Sequence, residues 1–302
     1  MASGIFCGDP ARLSILATMP HLRVAEATHG GLLRAVLAER TAASRGSGGP
    51  RPGLASPRTG MSELAESLTE RLAAHESVTV HLDTRLTSLR RDGAAYAVTL
   101  STANGPTDLT IDAIVLAVPT AATADILAML DADEPVRILR AMTVESTITV
   151  SLGYVSAGLP DLDRALPAHG YLIAEPGRGP VRSVTRTTTK FPGRAPEGHE
   201  LFRVAVRSDD DVADDDLVRL AREELGRTLG IGAEPVLAHV QRWTRVMPQY
   251  AVGHLDRVAE VEQQLSAFPA IRLAGSGAYG LGIPDCVASA ERAVDALLPV
   301  LA

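Results

Sequence analysis

Lysine occurs once in the 302 residues, at Lys190, and tryptophan once, at Trp243. The two cysteines, Cys7 and Cys286, are too few for a disulfide framework and lack the paired spacing of a zinc site. No apolar run approaches the roughly 18 residues that a bilayer span requires. The first residues, MASGIFCGDP, have neither a basic n-region nor an apolar h-region of the signal-peptide type. These absences point to a reducing, cytoplasmic setting, and peripheral contact with a membrane stays open. Positive charge is also scarce: a formal charge of -7 and a pI of about 5.6 argue against a nucleic-acid partner, which would need a basic face to neutralise phosphates. The cations that exist are nearly all arginine, a bias of codon composition, although arginine keeps its charge and its bidentate fork wherever an anion must be held.

What is present is a globular composition, 46% hydrophobic and 22% charged, with a mean hydropathy of +0.11 and a length suited to two domains. Residues 10 to 40 read as helical, with Leu32, Leu33, Val36 and Leu37 at helical spacing. The stretch 41–60 is rich in Gly, Ser, Pro and Arg and reads as a loop or crossover. After it, Met61, Leu64, Ala65, Leu68 and Leu72 predict an amphipathic helix over 61–74. Strands are expected at VTVHL (78–82), RLTSL (85–89), AYAVTL (95–100) and DLTIDAIVLAVP (108–119), with turns at Asp92-Gly93 and Asn104-Gly105. The apolar run Ile114 to Val118 suggests a strand covered on both faces and paired with Ile271 to Ala274. Alternation predicts strands at 148–154 and 202–206, and acids opening 214–229 with Gly230 closing it predict a helix. The acidic run Asp209 to Asp216 is explained by that helix start rather than by a metal.

Gly275, Gly277 and Gly280 satisfy G-x-G-x-x-G between an apolar strand and a helix. A dinucleotide fingerprint, however, needs a second strand and an acidic residue about 20 residues on, which the helix VASAERAVDALLPVL does not provide. A plain strand-to-helix turn and a close ligand contact both remain open for these glycines. None of the eight histidines forms an HxxxH or HExxH set, and no nucleophile elbow occurs, so metal chemistry and acyl transfer have no support in the sequence. Trp243 is either a core residue or the wall of a flat aromatic cofactor.

Four stretches together resemble the flavin-dependent protoporphyrinogen and coproporphyrinogen III oxidases of the flavin amine oxidase superfamily. They are GIFCGDPARLSILATMP at 4–20, TGMSELAESLTERL at 59–72, RWTRVMPQYAVGHLDRV at 242–258 and LAGSGAYGLGIPDCVASAERAV at 273–294. PQYAVGHL followed about 30 residues later by GLGIPDC is the most specific pairing. The resemblance implies an α/β, or mixed α+β, fold: an incomplete FAD-binding domain interleaved with a mixed-sheet and helical substrate domain. It divides the chain into a substrate- or membrane-side helical part (1–55), a first FAD-binding part (56–125), the substrate domain (126–264) and a second FAD-binding part (265–302). It further implies FAD as cofactor, with Leu86 at the adenine, Trp243 beside the isoalloxazine, and Leu281, Gly282 and Ile283 near the pyrimidine end of the ring. The expected reaction is oxidation of protoporphyrinogen IX or coproporphyrinogen III to the porphyrin, with oxygen as acceptor, in haem biosynthesis. Leu86 where the family has Val, and Ser276-Gly277 where one small residue is usual, are small departures. The larger one is that the family's N-terminal βαβ module, which holds the flavin pyrophosphate, is missing from these residues. The alternatives are therefore a truncated, non-catalytic fragment or one half of a split flavoprotein, and the isolated chain is expected to hold no flavin.

Overall fold

A computed structural model describes residues 5–44, 55–173, 179–207 and 211–301. Contacts divide the chain into two compact units, each discontinuous in sequence. The first comprises Met1–Gly8, Arg51–Val80 and Glu145–Met247, and the second Asp9–Pro50, His81–Val144 and Pro248–Ala302. Helices α1 (Ile15–Thr18), α2 (Pro20–His29) and α3 (Leu32–Ser44) cover the segment read as one helical region. Pro20 fits the first position of α2, where no amide is needed, and Gly30 ends it in a left-handed conformation with φ 70°. The apolar positions of α3 are exposed, Leu33 by 74%, so the helical spacing is right but its stripe is not a core face within the described residues. The amphipathic helix α4 (Ser62–Ala73) forms as expected, and Glu63 accepts hydrogen bonds from the Thr59 amide and hydroxyl just before it.

In the second unit, β1 (Arg85–Asp92), β2 (Ala95–Thr102) and β3 (Gly105–Ile111) form an antiparallel meander whose turns fall at the two predicted dipeptides. No strand forms at Val78 to Leu82, contrary to the alternation there. Val80 and Leu82 are exposed by 40% and 75%, no ladder takes up their backbone, and Asp83 has a positive φ of 50°. Strand β4 (Ile114–Leu116) pairs in parallel with the strand Ile271–Leu273, the neighbour expected for it. It is not covered on both faces, because Val115 and Val118 remain exposed. Helices α5 (Thr120–Ala128) and α6 (Asp133–Ala141) follow, and their Leu127, Val136, Ile138 and Leu139 join Leu89, Tyr96, Leu116 and Ile271 in one core.

The first unit is built on a five-stranded sheet. Its members are β5 (Val144–Val155), β6 (Gly170–Leu172), β7 (Val181–Arg186), β8 (His199–Val206) and β9 (Leu237–Pro248) in the order β6-β7-β8-β5-β9, with the short helices α7 (Leu162–Ala165) and α8 (Thr187–Lys190) between strands. Period-two alternation places Ile148, Val150, Leu152, Tyr154, Phe202, Val204 and Val206 on one face, all buried. Helix α9 (Asp214–Leu229) covers that face with Leu217, Ala221 and Leu225, and Gly230 stops it in the left-handed region, as its sequence predicts. At one end of the sheet, buried Arg186 donates to Glu200 (3.0 and 2.6 Å) and to Asp163 (2.6 Å), and Thr188 donates to the same Glu200. Burial alone would raise the Glu200 carboxyl, but the hydrogen bonds from Arg186 and Thr188 outweigh it and hold it below the ordinary range.

Candidate functional site

The second unit ends in α10 (His254–Gln264), β10 (Ile271–Leu273), a glycine-rich turn and α11 (Ile283–Leu301). Strand β10 delivers the chain into the turn, where the Ala274 amide still bonds Leu116 O at 3.0 Å. Side chains from three other segments then fix the turn. The Gly275 amide donates to Ser289 Oγ of α11 at 2.8 Å, and Thr120 Oγ1 of α5 donates to Gly277 O at 3.3 Å. A Cβ at position 277 would lie 2.9 Å from that same hydroxyl, so a side chain there would have to displace it. The third segment is PQYAVGH, just before α10. The Tyr250 hydroxyl donates to Ser276 O at 2.5 Å and accepts from the Gly280 amide at 2.9 Å. His254 Nε2 contacts Ala278 O at 2.9 Å, and because a carbonyl only accepts, Nε2 carries the proton. The two rings stack with centroids 4.2 Å apart and 23° between planes.

Both clamp residues are dry, Tyr250 exposed by 1% and His254 by 2%. Burial pushes the Tyr250 phenol well above its usual value, so it stays a neutral hydroxyl able to donate and accept at once. Burial pushes the His254 imidazole down; the Ala278 carbonyl opposes this and the Arg257 charge adds to it. His254 Nδ1 is buried without a hydrogen-bond partner, which suits a neutral ring and penalises a protonated one.

What the clamp presents is the start of α11. The amides of Leu281, Gly282 and Ile283 bond no protein group among the described residues, while the turn itself is only half-buried. They lead into and open a 19-residue helix, whose positive dipole end favours an electron-rich ligand atom. Gly280 has φ 130°, and a Cβ there would lie 2.6 to 2.7 Å from the Asp285 side chain, so the turn can close only with glycine at that position. Donors of this kind suit the carbonyl and nitrogen acceptors of a flavin ring edge.

The structure brings Leu281, Gly282 and Ile283 together in this one turn. Leu86, on β1, packs half-buried against the core of the same unit, opposite Leu100. Trp243 belongs to the first unit, within β9, 46% exposed and with its Nε1 donating to Thr149 Oγ1 at 3.4 Å. Tyr250 and His254 were not singled out from the sequence, although their segment was; its spacing to the turn gives no sign that the two touch.

Across residues 1–298 the sequence matches the family described as flavin containing amine oxidoreductase. The chain belongs to this family. Among its relatives is the coproporphyrinogen III oxidase of Bacillus subtilis (strain 168), 30% identical over 100% of this chain and 63% of that protein. The coproporphyrinogen III oxidase of Propionibacterium freudenreichii subsp. freudenreichii is 33% identical over 99% of this chain and 60% of its own length. A crystal structure from Exiguobacterium sp. 255-15, provisionally named a protoporphyrinogen oxidase, superposes with a TM-score of 0.78 at 25% identity, covering 98% of this chain and 62% of that one. This flavin-family chain thus spans less than two thirds of the length of the relatives it matches. Among its described residues, no helix is long and apolar enough to cross a membrane.

Proposed function

We propose that these residues form the ring-side and substrate-side portion of an FAD-dependent porphyrinogen oxidase acting in haem biosynthesis, with coproporphyrinogen III or protoporphyrinogen IX as substrate and oxygen as acceptor. The observation that carries the reading is the clamp of Tyr250 and His254 on the turn 276–280, because it joins the two segments whose pairing is most specific to that family. The names of the relatives supply the substrate class.

The flavin supplies the redox chemistry when bound. The chain's own part is to hold a ring edge through the amides of Leu281, Gly282 and Ile283, to keep that turn rigid through two neutral buried side chains, and to offer Trp243 as an aromatic wall. Leu86 is proposed to meet the adenine through its backbone. Parts 56–125 and 265–302 are proposed to serve FAD, and 126–264, with the helical residues 1–55, the substrate. The diphosphate is proposed to be held by a βαβ module outside these residues, whose helix-terminal amides would meet its two phosphate charges. Localisation in the cytoplasm, with or without peripheral membrane contact, belongs to the same reading.

The test is reconstitution. The 302-residue chain is mixed with, or fused to, the preceding third of the Bacillus subtilis relative, given FAD and coproporphyrinogen III in air, and followed by porphyrin fluorescence. Porphyrin formation that needs both parts supports the proposal. A complex that binds FAD stoichiometrically yet forms no porphyrin from either porphyrinogen refutes the substrate assignment. Stoichiometric flavin and activity in the chain alone would refute the need for a second module.

A further inference from the structure

The face of the five-stranded sheet opposite α9 bears a different set of side chains from its apolar partner. Thr149 and Ser151 of β5, Ser183 and Thr185 of β7 and Arg203 of β8 alternate with the buried core residues, and β-pairing sets Arg203 between Ser151 and Thr185. At the edge of this face the chain forms a cleft of about 770 Å³, lined by residues 55–58, Met61, His169, Thr185, Thr187, residues 190–192, Arg194 and Arg203. That volume is in the range of small-molecule sites.

Four permanent or near-permanent cations line it: Arg58, Lys190, Arg194 and Arg203. No carboxylate lies among the lining residues, and none of the four makes an ion pair among the described residues. In a chain of formal charge -7 this is a local reversal of sign. Arg194 Nη2 donates to Ser56 Oγ at 3.0 Å and to Pro57 O at 2.7 Å, its charge also acts on the Glu63 carboxylate, and its buried Nε has no partner. Lys190, the single lysine, and Arg194 both stand over the Phe191 ring, at 5.3 and 5.4 Å from its centroid. Glu63, outside the lining, faces only Arg194 of the four, so positive charge exceeds negative at the cleft and an anionic ligand relieves the repulsion among the cations. Phe191, Met61, Pro57 and Pro192 make the rest of the wall apolar. A ligand with an apolar body and more than one carboxylate at its edge matches both properties; a bare inorganic anion matches only the charge.

We propose that this cleft is a carboxylate subsite of the porphyrinogen pocket, in which Lys190, Arg194 and Arg203 receive propionate groups of a tetrapyrrole whose body extends over the hydroxyl-lined sheet face. The inference rests on the porphyrinogen reading above and assigns the cations that reading leaves unnamed. Its geometry is consistent with Trp243, because Thr149, which accepts from the indole, lies one strand over and two residues along from Arg203, about 8 Å at the backbone. Both lie on the same face.

Coproporphyrin III, the stable oxidised tetracarboxylate, and its tetramethyl ester are titrated against the 302-residue chain by fluorescence anisotropy at two salt concentrations. The free acid is expected to bind more tightly than the ester and to weaken with salt. Arg203→Gln and Lys190→Gln, both exposed side chains, are each expected to weaken the free acid by about 10-fold, as loss of one charged hydrogen bond does, and to leave the ester unchanged. Thermal melting checks that the variants remain folded. Equal affinity of wild type and the double variant for coproporphyrin III overturns the subsite and leaves the porphyrinogen reading standing. A folded wild-type chain that binds neither porphyrin likewise overturns the subsite, whereas the porphyrinogen reading falls only if the reconstituted complex binds FAD and forms no porphyrin.

Discussion

Acidification should loosen the turn through His254, and the effect can be sized from its surroundings. In the folded chain the ring is neutral, its Nε2 proton committed to Ala278 O and its Nδ1 facing no acceptor in a dry site. Burial lowers its pKa, so between the folded value and the unfolded value near 6.5 the unfolded chain binds the extra proton and the folded chain does not. Stability is therefore complete above about pH 6.5 and falls as pH drops through that window. If the folded ring takes up no proton, the loss from pH 7.5 to 5.5 reaches about 1.4 kcal/mol. Urea denaturation of wild type and His254→Gln, whose amide can still donate to Ala278 O, isolates the contribution. The expected result is a fall with acid in the wild type that exceeds that of the variant by up to this amount. Equal slopes in the two proteins would refute the claim that His254 is held neutral by burial.

Two further changes probe the same turn. Tyr250→Phe keeps the stacked ring but strips partners from Gly280 N and Ser276 O, and should cost about 1–3 kcal/mol for each group left buried and unpaired, with faster hydrogen exchange at the Gly280 amide. At Gly282 a Cβ would lie 2.8 Å from Asp285 Oδ2, so Gly282→Ala should lower the melting temperature and Gly282→Ala/Asp285→Ala should recover most of the loss. A neutral single variant would mean that the approach is not close. A bulky side chain at position 282 would for the same reason test a flavin contact only in an Asp285→Ala background.

Local rules made the sequence legible where one segment decides its own structure. The acids of 214–216, the apolar spacing through Leu229 and the stop at Gly230 define α9 without reference to anything else. The hairpin dipeptides fix β1 to β3 in the same way. Val78 to Leu82 shows the limit: alternation describes a side chain's preference, but a strand exists only if a neighbour accepts its backbone, and none does here. The candidate site was legible as motifs and not as contacts. GLGIPDC marks the turn, yet only the fold shows that Tyr250 reaches Ser276 O and Gly280 N across about 30 residues of chain. The basic cleft left still less trace, because Arg58, Lys190 and Arg203 are scattered and ordinary one by one.

Buried Arg186, with its partners Glu200 and the exposed Asp163, has a consequence on the opposite side of its sheet. Arg186 faces inward opposite Phe202, and its neighbour Thr185 therefore faces outward opposite Arg203. A slip of one residue in the pairing of β7 and β8 would turn Arg203 into the core and leave a guanidinium there without a carboxylate, while expelling Phe202 into water. The ion pair between Arg186 and Glu200 thus acts as an index pin, and it guards the sign of charge on a surface that it never touches.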